Sequence, residues 1–210
     1  MSSFSNAFRT DLRRLFEVRR DVRRFTAEPV AADLLDELIE TACLAPSVGL
    51  SQPWRFVSVE DAARRAAVRK NFIACNDKAL AGYEAERAGL YATLKLSGLD
   101  EAPCHLAVFC ETQPQQGHGL GRATMPETTA YSTVMAVHTL WLAARAVGLG
   151  LGWVSIVNPD EIIRIVNAPP EWTFIGYFCL GYPQQELETP ELEVLGWERR
   201  RPASSVLVRR

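Results

Sequence analysis

Seven arginines fall between positions 9 and 24, and the densest part of the run is RRDVRRF, residues 19–25. A guanidinium is a flat, forked donor that grips phosphate oxygens in pairs, and Arg19, Arg20 and Arg23 are spaced to converge on one phosphate group. Only Lys70, Lys78 and Lys95 among the 23 basic residues are lysine, so the chain favours the side chain suited to bidentate anion recognition. The competing reading is a solvated helix end with ion pairs to Asp11 and Glu17. Asp21 stands inside the cluster, where neighbouring cations are expected to lower its pKa and keep it ionised as an acceptor or base. An acid that merely neutralises its neighbours has the same pattern.

A second candidate is GLGLGWVSI, residues 148–156. A dinucleotide fingerprint follows a strand and opens a helix, whereas this run leaves a helix and enters a strand, so that reading is excluded. Its glycines suit close approach of backbone N–H groups to a flat ligand ring, with Ser155 presenting a hydroxyl at the same edge. The three histidines are scattered: His138 is expected to be buried on an apolar helix, His105 opens a strand, and His118 lies in a Gly-rich loop. There is no HxH, HExxH or GxSxG, so no metal is expected and acyl transfer is disfavoured. Cys43, Cys75, Cys104, Cys110 and Cys179 are odd in number and form no CxxC pair, which predicts free thiols.

These residues need a scaffold, and 210 residues at 48% hydrophobic and 23% charged are enough for one buried core. A net charge of −2 gives no reason to expect nucleic acid or an anionic membrane. The longest uncharged run, residues 128–144, is too polar to span a bilayer. No apolar run of signal-peptide length occurs near Met1, and a cytoplasmic protein is expected. Helices are predicted over 8–16, 31–42, 61–74, 129–147 and 160–166, with a further helical stretch reaching Gly98. Strands are predicted over 54–59, 105–110, 151–157 and 174–180, and loops over 45–53 (APSVGLSQP) and 111–127. Strands and helices do not alternate strictly, which favours an α+β layer arrangement in one domain, residues 1–210. Residues 83–103 read as a mobile cover or a peripheral helical hairpin. Residues 187–210 form a charged tail expected to wrap over another part of the protein or a partner subunit.

Taken together, RRDVRRF, APSVGLSQPWRF and GLGLGWVSI resemble the nitroreductase-like flavoproteins in order and spacing. Within them, ETTAYSTVMAVHTLWLAARAVGLGLGWVSI and LKLSGLDEAP are similar to the 5,6-dimethylbenzimidazole synthases. The resemblance implies a mixed sheet flanked by helices, a homodimer with FMN at the subunit interface, and C-terminal arms exchanged between protomers. It implies flavin contacts at Arg19, Arg20, Asp21, Val22, Arg23, Ser47, Ser51, Leu94, Gly152 and Arg200, with Arg199 and Arg201 as neighbours that compete for the last role. Asp21 and Ser155 match the catalytic pair, and residues 83–103 match the lid. The implied reaction is attack of O2 on reduced FMN, which contracts the ring to 5,6-dimethylbenzimidazole and releases erythrose 4-phosphate, with a separate flavin reductase supplying the reduced flavin. An NAD(P)H-dependent nitroreductase or flavin reductase that keeps its FMN is the alternative, and a flavin-delivery protein without chemistry a third.

Overall fold

Strand residues point alternately to two faces, and here both faces are apolar, so the sheet must be covered on each side. The computed structural model describes residues 3–93 and 98–210; Leu94, one of the expected flavin contacts, lies outside them. Four strands, β1 (Trp54–Ser58), β2 (Cys104–Glu111), β3 (Gly150–Val154) and β4 (Trp172–Gly181), pair antiparallel in the order β1-β2-β4-β3. The parallel component is the bridge between Asp21 and Leu151 at the outer edge of β3.

On β2 and β4, Ala107, Phe109, Tyr177 and Cys179 face one layer, and Leu106, Val108, Phe178 and Leu180 face the other. The first layer is completed by Val68 of α3 (Ala62–Ala81) and by Ile162 and Val166 of α7 (Pro159–Val166). The second is completed by Leu38 and Ala42 of α2 (Ala32–Ala42) and by Val137, Leu140 and Ala144 of α6 (Thr128–Ala146). Helix α1 (Asn6–Val18), N-capped by the Ser5 side chain, lies against α6. The short helices α4 (Ala85–Thr93), α5 (Gly98–Glu101) and α8 (Glu191–Val194) complete the chain.

Three expectations need correction. Helix α3 runs on to Ala81 instead of stopping near residue 74, because NFIACNDKALA contains no breaker before Gly82. Strand β3 ends at Val154, which leaves Ser155 beyond the sheet and exposed. His138 is exposed, not buried: it lies on the outer face of α6 with Tyr131, Val134 and Met135, its ring stacked 6.5 Å from that of Phe16. A helix apolar nearly all round carries no signal for which face turns inward. Among the described residues, no helix is long and apolar enough to cross a membrane.

Candidate active site at the edge of β3

After α1 the chain must pass from a helix to the rim of the sheet, and residues 19–26 do so in extended form. Val22 N–H donates to Leu151 O at 3.1 Å, Thr26 N–H to Tyr182 O at 2.8 Å, and Gln184 N–H to Arg24 O at 3.1 Å. Phe25, almost fully buried, anchors the segment in the core. The approach to β3 is close enough to require glycine: a Cβ at Gly152 would stand 2.1 Å from Val22 O. Thus Gly152 meets the RRDVRRF segment itself.

The Asp21 carboxylate accepts from Trp153 N–H at 2.9 Å, so one oxygen is held on the strand edge. Its other oxygen is 3.9 Å from Arg23 Nε. The pKa of Asp21 is raised, contrary to the lowering expected from its cationic neighbours. Burial outweighs the Trp153 hydrogen bond and the charges of Arg23 and Arg19, and Glu191 adds to the rise. Asp21 is therefore a better proton acceptor than an exposed aspartate, placed among cations.

The arginines divide into two groups. Arg23, largely buried, lies between Asp21 and Glu191. Arg19 stacks over Trp141, its Cζ 5.0 Å from the ring centroid, while Trp141 Nε1 donates to Arg20 O at 2.9 Å. Arg20 donates to Glu17 O and Arg19 O at 2.6 and 2.7 Å, yet its Nε is buried without a partner. Burial first, then Arg200, Arg19, Arg145 and Arg14, lower the pKa of Arg20; burial and Arg200 also lower that of Arg19. Five like charges crowded together around an orphaned donor form a site that an anion would relieve. Arg200 is brought there from the tail, since it lines a cleft with Arg13, Arg20 and Glu193. A neighbouring cavity of about 90 Å³ is bounded by Arg20, Asp21, Val22, Arg23, Trp141 and Arg145, with Gly150 and Glu191 on its rim.

The loop residues lie elsewhere. Ser47 Oγ accepts from Gln52 N–H at 3.1 Å, and Val48 N–H donates to Ser132 Oγ of α6 at 3.0 Å, which fixes the loop on the central helix. Ser51 Oγ is buried and unpartnered, at a second cavity lined by Cys43, Trp54, Arg55 and Glu111 that contains none of arginines 19–23. Ser155 lines neither cavity. Within one chain, then, the arginines, Asp21, Val22, Gly152 and Arg200 come together, while Ser47, Ser51 and Ser155 stand apart. Trp141, Arg14, Arg145 and Glu191 are additions that sequence reasoning missed. Trp141 was legible only as one more apolar residue, and the other three as ordinary surface charges. Among the described residues, no group of three His, Cys, Asp or Glu could hold a metal ion.

The chain matches the family model described as the Nitroreductase family over residues 17–182. It is 54% identical over 199 residues, 95% of this chain and 94% of the relative, to the 5,6-dimethylbenzimidazole synthase of Rhodospirillum rubrum. Identity to the protein of the same name from Rhodobacter capsulatus is 46% over 200 residues, 95% and 97% of the two chains. A crystal structure of oxidized iodotyrosine deiodinase bound to FMN and 3-iodo-L-tyrosine aligns with a TM-score of 0.73 at 26% identity, covering 94% of this chain and 97% of that one.

Proposed function

This chain belongs to the nitroreductase family, and from that footing we propose that it is a 5,6-dimethylbenzimidazole synthase whose substrate is reduced FMN. Two near-full-length relatives carry that name. The observation that carries the reading to the site is Asp21, pinned to Trp153 N–H among arginines whose mutual crowding and orphaned Arg20 Nε fit a phosphate. The flavin supplies, with O2, the oxidative fragmentation that yields 5,6-dimethylbenzimidazole and erythrose 4-phosphate.

The protein's own residues bind, orient and move protons. Arg20 and Arg200, with Arg19, hold the phosphate; Val22, with Gly152 packed closely behind it, forms the backbone edge against which the flavin lies. Asp21, its proton affinity raised by burial, takes up a proton from the reacting flavin, and Ser155 relays protons at the far end of β3. Ser47 and Ser51, remote from the arginines of their own chain, complete the site across a homodimer, so that each flavin meets the arginines of one protomer and the serine loop of its partner. The arm folds back on its own body at Trp197, which packs against Tyr83 and Tyr91, and as far as Arg200 beside Arg20; exchange between protomers involves the residues beyond Arg200. Residues 83–103 act as the lid and a separate flavin reductase supplies the reduced flavin.

Aerobic incubation with chemically reduced FMN, followed by mass detection, is the test. Formation of 5,6-dimethylbenzimidazole with loss of FMN is expected. Recovery of intact FMN, with steady oxidation of NAD(P)H in the presence of an electron acceptor, would establish the reductase reading instead.

A further inference from the structure

The turn after α8 ties two parts of the molecule together. Gly196 takes a positive φ of 76°, its N–H donates to Glu193 O at 3.1 Å, and Trp197 N–H donates to Leu192 O at 2.8 Å. That pair of bonds closes a helix through a left-handed glycine, so residues 191–197 form one block. On one side the block faces the arginines: Pro190 and Glu193 line the cleft that Arg13, Arg20 and Arg200 share. On the other, the half-buried Trp197 meets Tyr83 edge-on with ring centroids 5.7 Å apart and Tyr91 at 6.3 Å, and Arg87 Cζ lies 5.9 Å from its ring. Helix α4, which carries Arg87 and Tyr91, is nine residues long. A helix of that length does not persist alone in water, so its place depends on packing. Tyr91 is buried, donates its hydroxyl to Asn76 Oδ1 of α3 at 2.8 Å and lies 4.9 Å from Tyr83; Trp197 completes the cluster from the tail.

We propose that Trp197 is a specificity-determining positioning residue: through it, a phosphate gripped at Arg200 holds α4 in place, so that a phosphorylated flavin secures part of its own cover and riboflavin does not. The inference rests on the reading of the arginine cleft as the phosphate site. Arg200 is exposed and only three residues beyond Trp197, a span of at most about 11 Å. An anion that bridges Arg200 to Arg20 removes the freedom of this short link and thereby fixes the Trp197 ring against Tyr83 and Tyr91. Coupling between binding equilibria is reciprocal: whatever phosphate adds to the docking of α4, the docked α4 adds to phosphate affinity.

The test uses inorganic phosphate as the probe, against chloride at equal ionic strength, on the flavin-free full chain. In the parent, saturating phosphate should slow hydrogen exchange of the α4 amides by about threefold to tenfold, the range expected of an aromatic contact. Arg200→Ala should abolish that response. Trp197→Ala should abolish it too and, by calorimetry, bind phosphate about threefold to tenfold more weakly, with Trp197→Phe restoring most of both. Tyr83 does not line the cleft, yet Tyr83→Ala should weaken phosphate by a similar factor, and the double variant no further than Trp197→Ala alone. A Trp197 that merely supports the fold would leave phosphate affinity unmoved. Phosphate that binds the parent without changing α4 exchange, or parental phosphate affinity in Tyr83→Ala, overturns the proposal and leaves the phosphate site standing. A parent that binds no phosphate would overturn the phosphate site and this coupling with it.

Discussion

In the proposed reaction Asp21 has two roles in one carboxyl group: one oxygen fastens the segment to Trp153 N–H, and the other, 3.9 Å from Arg23 Nε, serves the chemistry. An Asn preserves the acceptor and removes the base. D21N is expected to fold and bind flavin while benzimidazole formation falls about a hundredfold or more. Because burial raises the Asp21 pKa, the folded state holds that proton more tightly than the unfolded one. Its stability contribution is lost as pH rises through the folded value. The D21N midpoint at pH 7.5 should therefore equal or exceed that of the parent, and a fall of several degrees in a thermal melt would contradict the burial argument. His105 shows the opposite linkage. It is buried, its Nδ1 lies 2.9 Å from the Tyr177 hydroxyl, and burial lowers its pKa from 6.5 to about 4. The unfolded chain thus takes up the proton first as pH falls, and up to about 3 kcal/mol of stability disappears between about pH 6.5 and 4. His105→Gln is expected to be less stable than the parent at pH 7, with the difference narrowing toward pH 4.5 in urea titrations. A constant difference would show that His105 does not titrate in that window.

At the scale of elements, the site depends on an extended segment laid across the rim of β3 more than on any helix terminus. Val22 N–H to Leu151 O and Asp21 to Trp153 N–H are two fasteners on neighbouring residues, and Gly152 between them lets the backbones approach. Gly152→Ala puts a methyl group where Val22 O already stands, and backbone cannot yield as a flexible side chain would. The cost should be about 2–4 kcal/mol, from overpacking and at least one lost buried hydrogen bond, together with loss of flavin binding. Differential scanning calorimetry and a fluorescence titration with FMN would check it, and a parental melt would show that the strand edge is softer than the geometry requires.

For the whole molecule, two observations define what one chain lacks. Arg20 and Arg200 are far apart in sequence yet share one cleft, so in the proposed reading the tail contributes to the phosphate site. Arg200→Ala should weaken FMN binding by about tenfold to a hundredfold, the loss of one charge-assisted contact worth about 1.5–3 kcal/mol, and leave riboflavin binding unchanged. Equal losses for the two flavins would assign Arg200 to the fold instead of the phosphate. The outer face of α6, with Tyr131, Val134 and Met135 exposed beside Phe16 of α1, is an apolar surface of the kind that marks an interface. For the proposed homodimer, Met135→Glu should give a monomer in sedimentation and lose FMN, since the serine loop of that reading would no longer reach the arginines of a partner. A dimer that survives with full flavin binding would move the interface to another face.

Residue types and short periods determined much of this protein without tertiary information. The alternation in WRFVS and the short apolar runs HLAVFC and FIGYFCL produced strands. The 3.6-residue recurrence in ADLLDELIETA produced α2, and RRDVRRF with its Asp marked the segment that forms the site. Such signals are local, because side-chain direction repeats every two residues in a strand and nearly every four in a helix. The tertiary structure decided what lies next to that segment: Trp141 under Arg19, Gly152 against Val22, Arg200 and Glu191 closing in from the tail. It also decided which way α6 turns His138, and it reversed the expected shift of Asp21. Local spacing counts the charges around a carboxylate, but the burial that outweighs them here appears only once the segment is laid against β3, whose Leu151 and Trp153 lie 130 and 132 positions further along the chain.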